Sequence, residues 1–506
     1  MAVDETVTTD PDNRPATRSW WRHAILARTM RAGMLAGTLF LAGCPSFSPL
    51  DTAIDPTPIA VNAAPPQNQS DDPEHNRIVA TYGGVYTDPN AATAVARAVG
   101  RLVSASDDPS QSYRITLLNS PVVNAFALPS GNLYVTRGLL VLANDTSEVA
   151  AVIAHEMAHV TARHAVARQR RAEAAQELNK AVAGALQDSD QQRLALASTQ
   201  VSLARFSQIQ ELEADAIGVK TLGRAGFDPF AASRFLSSMA RYADYRSLKP
   251  NASSNRPDFL ASHPSTPERI GFAIRAAREI GAPGIGEQER EAYLQELDGM
   301  VFGDDPSEGF VRGRSFLHKA LGIEFSVPSG YNLENTPKAV LASDASGTAM
   351  RFDGVAVDPA TALPDYLRSG WINGLDPASI TTATVGDFSA ATAHAAADGW
   401  TFRIGVVRSG RTVYRFIFAA QEPQPSFDAA FTETLDSFHH LSPSESARLR
   451  PLHIKVHRVR PGDTVERMAD MMSGVDRKLD LFRVLNGLDQ GDQVDVGKLV
   501  KLVTDQ

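Results

Sequence analysis

Ala151-Val152-Ile153-Ala154-His155-Glu156-Met157-Ala158-His159-Val160 sets two histidines four residues apart. In a helix, residues i and i+4 lie on one face, so both imidazoles can reach one ion. Glu156 sits beside them, able to reach a water at the metal but not the metal itself. This is the spacing of an HExxH zinc site. The local pattern is helical. Asp145 followed by Glu148 suits a helix start, and Val149, Val152, Ile153, Met157 and Val160 form an apolar stripe. The competing reading is a chance match on a solvated helix face.

Working outward, Glu211-Leu-Glu-Ala-Asp215 lies on a second helical pattern. A catalytic zinc takes three protein ligands and keeps one position open. Glu211 is the expected third ligand. Asp215, one turn on, is placed to accept a hydrogen bond from the distal nitrogen of a ligand histidine. Glu213 faces elsewhere on the helix and ranks below Glu211. The plain alternative is an acidic solvated face. Upstream, Asn124-Ala-Phe-Ala-Leu-Pro-Ser-Gly-Asn-Leu-Tyr-Val-Thr-Arg-Gly138 reads as a turn and a strand. Asn124 and Ala125 are candidate substrate-binding residues there, on an edge that could pair with an extended peptide. A structural hairpin is the other reading.

Four ordered motifs now stand in line: Asn-Ala-Phe-Ala, His-Glu-Met-Ala-His, Glu-Leu-Glu-Ala-Asp, and His263-Pro264 with Arg269-Ile270. Together they resemble the HtpX, Oma and prenyl-protease family of gluzincin metallopeptidases, over residues 75–300. The resemblance implies one Zn2+ per chain on His155, His159 and Glu211, with Glu156 as catalytic base. His263 matches a family histidine near the metal, which either stabilises the oxyanion or fills the open coordination position. Many family members carry several transmembrane helices. This chain shows none after its amino-terminal segment, and so resembles a soluble lipoprotein branch linked to envelope protein quality control.

The flanks fit an exported protein. Arg22, Arg28 and Arg31 precede an apolar run, Gly33 to Ala42. It is too short for a bilayer, which needs roughly 20 apolar residues, and suits a signal-peptide core. Leu41-Ala42-Gly43-Cys44 resembles a lipobox, making residues 1–44 a lipoprotein signal and Cys44 the lipidated residue. Met30 is an alternative start. Pro45 and Ser46 after the cysteine favour the outer membrane, on its periplasmic side. With one cysteine in the chain, disulfides within it are excluded and any metal site must use His, Asp or Glu. Residues 45–74 are rich in Pro, Asn, Asp and Ser and read as a flexible linker. The net charge of -9 argues against a nucleic-acid partner.

The expected fold class is multidomain α+β. A mainly helical zincin-type metallopeptidase domain with a small sheet fills 75–300. The Ala- and Gln-rich stretch 170–200 reads equally as a flap or as plain helical packing. Residues 310–445 alternate strands and short helices, an α+β accessory domain. Phe325-Ser-Val-Pro-Ser-Gly-Tyr331 resembles the opening of PsbP/Mog-like domains. Residues 452–506, with His457-Arg-Val-Arg-Pro-Gly-Asp-Thr464 and Phe482-Arg-Val-Leu-Asn486, resemble a LysM module of βααβ order. That resemblance implies peptidoglycan as a possible partner, although the loop before Gly497 departs from the usual pattern. The expected substrates are unfolded or misassembled envelope proteins. Two other functions remain open: a non-catalytic chaperone or scaffold, and a cell-wall peptide hydrolase.

Overall fold

The computed structural model describes residues 72–185, 189–247, Phe259 and 263–505, with the side chains of 178–203 left undescribed. The signal segment, Cys44 and most of the linker lie outside these residues. Among the described residues no helix is long and apolar enough to cross a membrane.

The first part opens with α1 (Pro73–Thr81) and α2 (Pro89–Ala105). Each begins with an aspartate, Asp72 or Asp88, whose carboxylate accepts from free N–H groups of the first turn, followed by a proline that needs no donor there. A small sheet follows, from β1 (Arg114–Leu118), β2 (Ala125–Ala127) and β3 (Asn132–Thr136). β3 is central, parallel to β1 and antiparallel to β2, so β2 is an edge strand. Then come α3 (Arg137–Leu142), α4 (Thr146–Thr161), α5 (His164–Ala185), α6 (Ser189–Arg224), α7 (Ala231–Ser247), α8 (Pro267–Ile280) and α9 (Arg290–Leu297).

α4 is the axis of this part. Every residue from Thr146 to His159 is buried, so the expected stripe is instead a helix enclosed all round. Its start is fixed by Asp145, whose carboxylate accepts from Glu148 N–H at 2.8 Å. Glu148 in turn accepts from Asn144 N–H at 2.9 Å. Of the stretch 170–200, the residues up to Ala185 lie on α5 and those from Ser189 lie on α6.

The second part follows β4 (Val301–Phe302). Its strands are β5 (Phe310–Arg312), β6 (Ser315–His318), β7 (Ile323–Ser326), β8 (Asn332–Asn335), β9 (Val340–Ser343) and β10 (Ala349–Ala356), then after α10 (Leu363–Arg368) β11 (Thr381–Val385), β12 (Phe388–Ala397), β13 (Trp400–Ser409) and β14 (Thr412–Ala420). α11 (Phe427–Asp436), β15 (His439–His440) and α12 (Pro443–Arg448) close it. A seven-stranded antiparallel sheet runs β11-β12-β13-β14-β10-β9-β8, and a four-stranded one runs β15-β7-β6-β5. The period-2 alternation of strands divides β14 cleanly. Tyr414, Phe416 and Phe418 enter one core, while Val413, Ile417 and Ala419 enter the other.

The last part has strand–helix–helix–strand order: β16 (Leu452–Arg458), α13 (Val465–Asp470), α14 (Lys478–Asn486) and β17 (Leu499–Thr504). β16 pairs with β17 and also with β4. The core does not stop at the boundary. Leu452, Phe482, Leu485 and Val503 share one apolar cluster with Leu140, Tyr293 and Leu297 of the first part.

Candidate metal centre

α4 and α6 cross with almost no space between them. A Cβ built on Gly218 of α6 would lie 3.2 Å from the backbone nitrogen of His155. Any larger residue would press on the α4 backbone, so glycine suits this close approach. Two turns earlier on α6, the same approach sets Glu211 opposite the α4 histidines.

There the expected ligands converge. His155 Nε2 and His159 Nε2 face each other at 3.0 Å. Glu211 Oε2 lies 3.4 Å from His155 Nε2, and Glu211 Oε1 lies 3.5 Å from His159 Nε2. His263 arrives from the segment before α8, with Nδ1 2.8 Å from Glu211 Oε2 and 3.2 Å from His155 Nε2. His155, His159, Glu211 and His263 are all buried and offer donor atoms within 4.8 Å of one another. Nitrogen and carboxylate donors in this number are a zinc set. The buried Oε1 atoms of Glu156 and Glu211 have no hydrogen-bond partner, as expected of atoms placed for a metal and its water.

A second layer holds the ligands. His155 Nδ1 lies 3.0 Å from Asp215 Oδ1. Arg269 Nε and Nη2 donate to the two oxygens of Asp215 at 2.8 and 2.7 Å. Arg269 Nη1 also lies 3.1 Å from Glu211 Oε2. His159 is held differently. Its Nδ1 faces His164 Nδ1 at 2.8 Å, and His164 Nε2 lies 3.3 Å from Glu213 Oε2.

Burial opposes every charge in this centre. It pushes the Glu156 carboxyl up, aided by Glu211 and countered by His263 and His155. Burial also opposes charge on His155, but Asp215 and Glu211 outweigh it and lift that imidazole to about 9. Burial, with His155 and His263 alongside, holds His159 far below its ordinary value. Glu211 and Asp215 stay low against burial: hydrogen bonds from His155 and His263 hold the first, and Arg269 and His155 the second. A carboxylate that burial has made more basic, beside imidazoles of opposite bias, is arranged for proton transfer.

A family model described as Peptidase family M48 matches residues 89–277, which include all of these residues. Residues 89–277 belong to peptidase family M48. The four donors within this match are of the residue types that hold a zinc ion. Over 207 residues the chain is 33% identical to the beta-barrel assembly-enhancing protease of Escherichia coli O157:H7, covering 38% of this chain and 40% of that protein. Over 176 residues it is 32% identical to the mitochondrial metalloendopeptidase OMA1 of Schizosaccharomyces pombe, covering 35% of this chain and 50% of that one. The chain thus spans half or less of the relatives it matches. Among solved structures, cyanobacterial PsbP from Synechocystis sp. PCC 6803 is 13% identical over 27% of this chain and 98% of that one. Its TM-score of 0.21 is too low to bear on residues 310–445.

Outside this cluster of donors, Asn124 is buried just before β2, its side-chain amide donating to the Tyr82 hydroxyl at 3.0 Å. Its N–H donates to the Thr136 hydroxyl and its carbonyl accepts from Thr136 N–H, both at 3.0 Å. Ala125 opens the edge strand itself. Two residues of the M48 centre escaped the sequence reading. Arg269 was visible only as part of a motif, and its partner Asp215 is far away in sequence. His164 follows Arg163, whose φ of 54° ends α4 and turns the chain back. Helical periodicity carries no signal across such a turn. A histidine five residues beyond the motif was the only cue.

Proposed function

We propose that this chain is a zinc-dependent endopeptidase of the bacterial cell envelope that degrades misfolded or misassembled proteins. The observation that carries this is the burial of four converging donors beside Glu156, whose buried Oε1 makes no hydrogen bond. His155, His159 and Glu211 hold the ion, and Asp215 orients His155. Zinc there supplies Lewis-acid activation of a water and of the scissile carbonyl. Glu156 takes the proton from the water and delivers it to the leaving amine. His263 has two roles open to it. With Nδ1 among the donors it would be a fourth ligand, and turned away from them it would hydrogen-bond the developing oxyanion. The outer edge of β2 among the described residues, starting at Ala125, is the candidate edge for an extended segment of substrate to add as a strand.

The name of the Escherichia coli relative ties that protein to β-barrel assembly, and we extend this to β-barrel envelope proteins as the substrate class. The resemblance of Leu41-Ala42-Gly43-Cys44 to a lipobox supports a lipid anchor on the periplasmic side of the outer membrane. The strand–helix–helix–strand order of 452–506 is that of a LysM-like module, with peptidoglycan as its candidate ligand. One experiment tests the reading. The purified chain lacking residues 1–44 is given an unfolded and a folded β-barrel protein, with and without a zinc chelator. Chelator-sensitive cleavage of the unfolded form alone is expected. Binding without cleavage in the presence of zinc would favour the chaperone reading instead.

A further inference from the structure

The α4 helix starts from an unusual platform. Only Ala143, Asn144 and Asp145 separate it from α3, a helix of six residues. A helix this short is not stable alone, and its last carbonyls have no partner within it. Side chains take every carbonyl from Leu140 to Asn144. Tyr293 Oη donates to Leu140 O at 2.6 Å, and Arg290 Nη1 donates to Asn144 O at 2.9 Å. Asn144 Nδ2 donates to Leu142 O at 3.2 Å, and all three carbonyls between those of Leu140 and Asn144 are reached by one residue of the last strand, β17. Lys501 Nζ donates to Val141 O and Ala143 O, both at 2.7 Å, and reaches Leu142 O at 3.4 Å.

Lys501 is fully buried, which is rare for a lysine without partners. Its backbone is also fixed. Asn486 of α14 accepts from Lys501 N–H at 2.8 Å and donates to its carbonyl at 3.0 Å. Burial, with Arg290 beside it, pushes the Lys501 amine well below its ordinary value, against the pull of Glu148 and Asp145, so its hold on α3 rests on its hydrogen bonds to the carbonyls. Asp145, Glu148 and Asp228 gather round Arg234 at the same helix start. Arg234 contacts all three anions, at 2.9, 3.5 and 2.6 Å respectively. Burial pushes the Glu148 carboxyl up to about 7, and its cations pull the other way.

We propose that Lys501 is a positioning residue for the metal helix: by gripping the carbonyls that end α3, it fixes where α4 starts and so where His155 and His159 stand. The last block is then part of the peptidase rather than a passenger. His155 lies ten residues beyond Asp145, about 15 Å along the helix axis. A helix buried on all sides has no room to re-seat, so displacement at its start is carried to its metal face.

The consequence for hydrolysis rests on the peptidase reading; the consequence for metal binding does not. The test compares wild type, Lys501→Met and Val503→Ala, the last a core change in the same strand that leaves the carbonyls held. Zinc affinity is measured by chelator competition, peptide hydrolysis as kcat and KM separately, and folding by thermal unfolding. Lys501→Met is expected to weaken zinc roughly tenfold and to lower kcat about as much, with KM within about twofold. Val503→Ala is expected to keep zinc affinity and kcat while losing thermal stability. The proposal is overturned if folded Lys501→Met binds zinc like wild type, or if Val503→Ala loses zinc to the same extent. Should wild type bind zinc and cleave nothing, the peptidase reading falls, while the affinity ratio still decides the role of Lys501.

Discussion

The Nδ1 atoms of His159 and His164 lie 2.8 Å apart, so one of them carries the proton between them. If His159 offers Nε2 to the metal, its Nδ1 holds the proton and donates. His164 must then accept at Nδ1 and donate from Nε2 to Glu213. One carboxylate therefore acts on His159 through a second imidazole, whereas Asp215 acts on His155 directly. His164→Phe removes the acceptor and is expected to weaken zinc binding by about 10- to 100-fold. His164→Asn, whose side-chain oxygen can accept, should recover part of this. Chelator competition on both variants checks it; equal loss in both would contradict the tautomer chain.

Arg269 grips both oxygens of a buried Asp215 and touches Glu211. Arg269→Ala leaves Asp215 buried without its cation, at a cost of about 3–5 kcal/mol of stability. Arg269→Lys should rescue little, because an ammonium cannot span two carboxylate oxygens. Thermal unfolding in the presence of excess chelator separates this cost from any metal effect. A lysine variant as stable as wild type would show that the paired geometry is unimportant.

Gly218 is expected to tolerate nothing branched. A Cβ there already meets backbone atoms of α4 at 3.2 and 3.4 Å, and backbone cannot swing aside. Gly218→Val should push α6 off α4, separate Glu211 from the two histidines and abolish stoichiometric zinc. Metal content of the purified variant reports this, and one zinc per chain would refute it.

His318 offers a pH test far from the metal. It is buried and accepts from Leu321 N–H at 3.2 Å, and burial holds it down to about 4. Its folded value is lowered, so its stabilisation is present above its ordinary value near 6.5 and is lost as pH falls towards 4. By pH 5 the loss is roughly 2 kcal/mol. Denaturant unfolding at pH 7.5 and pH 5 should show a shallower fall for His318→Asn than for wild type. Parallel falls would exclude the residue.

The centre was largely legible because helix geometry is local. His155 and His159, and Glu211 and Asp215, are one-turn pairs whose common face follows from 3.6 residues per turn. Zinc chemistry then supplied the third ligand. What periodicity could not reach was anything set by turns or by tertiary contact. His164 faces the site only because Arg163 takes a left-handed conformation. Arg269 finds Asp215 across 54 residues. Likewise, the apolar spacing of α4 predicts an amphipathic stripe, although neighbours on every side bury it from Thr146 to His159. The grip of Lys501 on residues 360 positions away had no sequence signal, since a lysine in a strand ordinarily reads as exposed.

The central claim is most directly tested by Glu156→Gln beside wild type, both lacking residues 1–44, with zinc content and cleavage of an unfolded protein measured on the same samples. The account expects one zinc per chain in both and cleavage in wild type alone. Equal cleavage by Glu156→Gln, or absence of zinc from the wild-type chain, would contradict it.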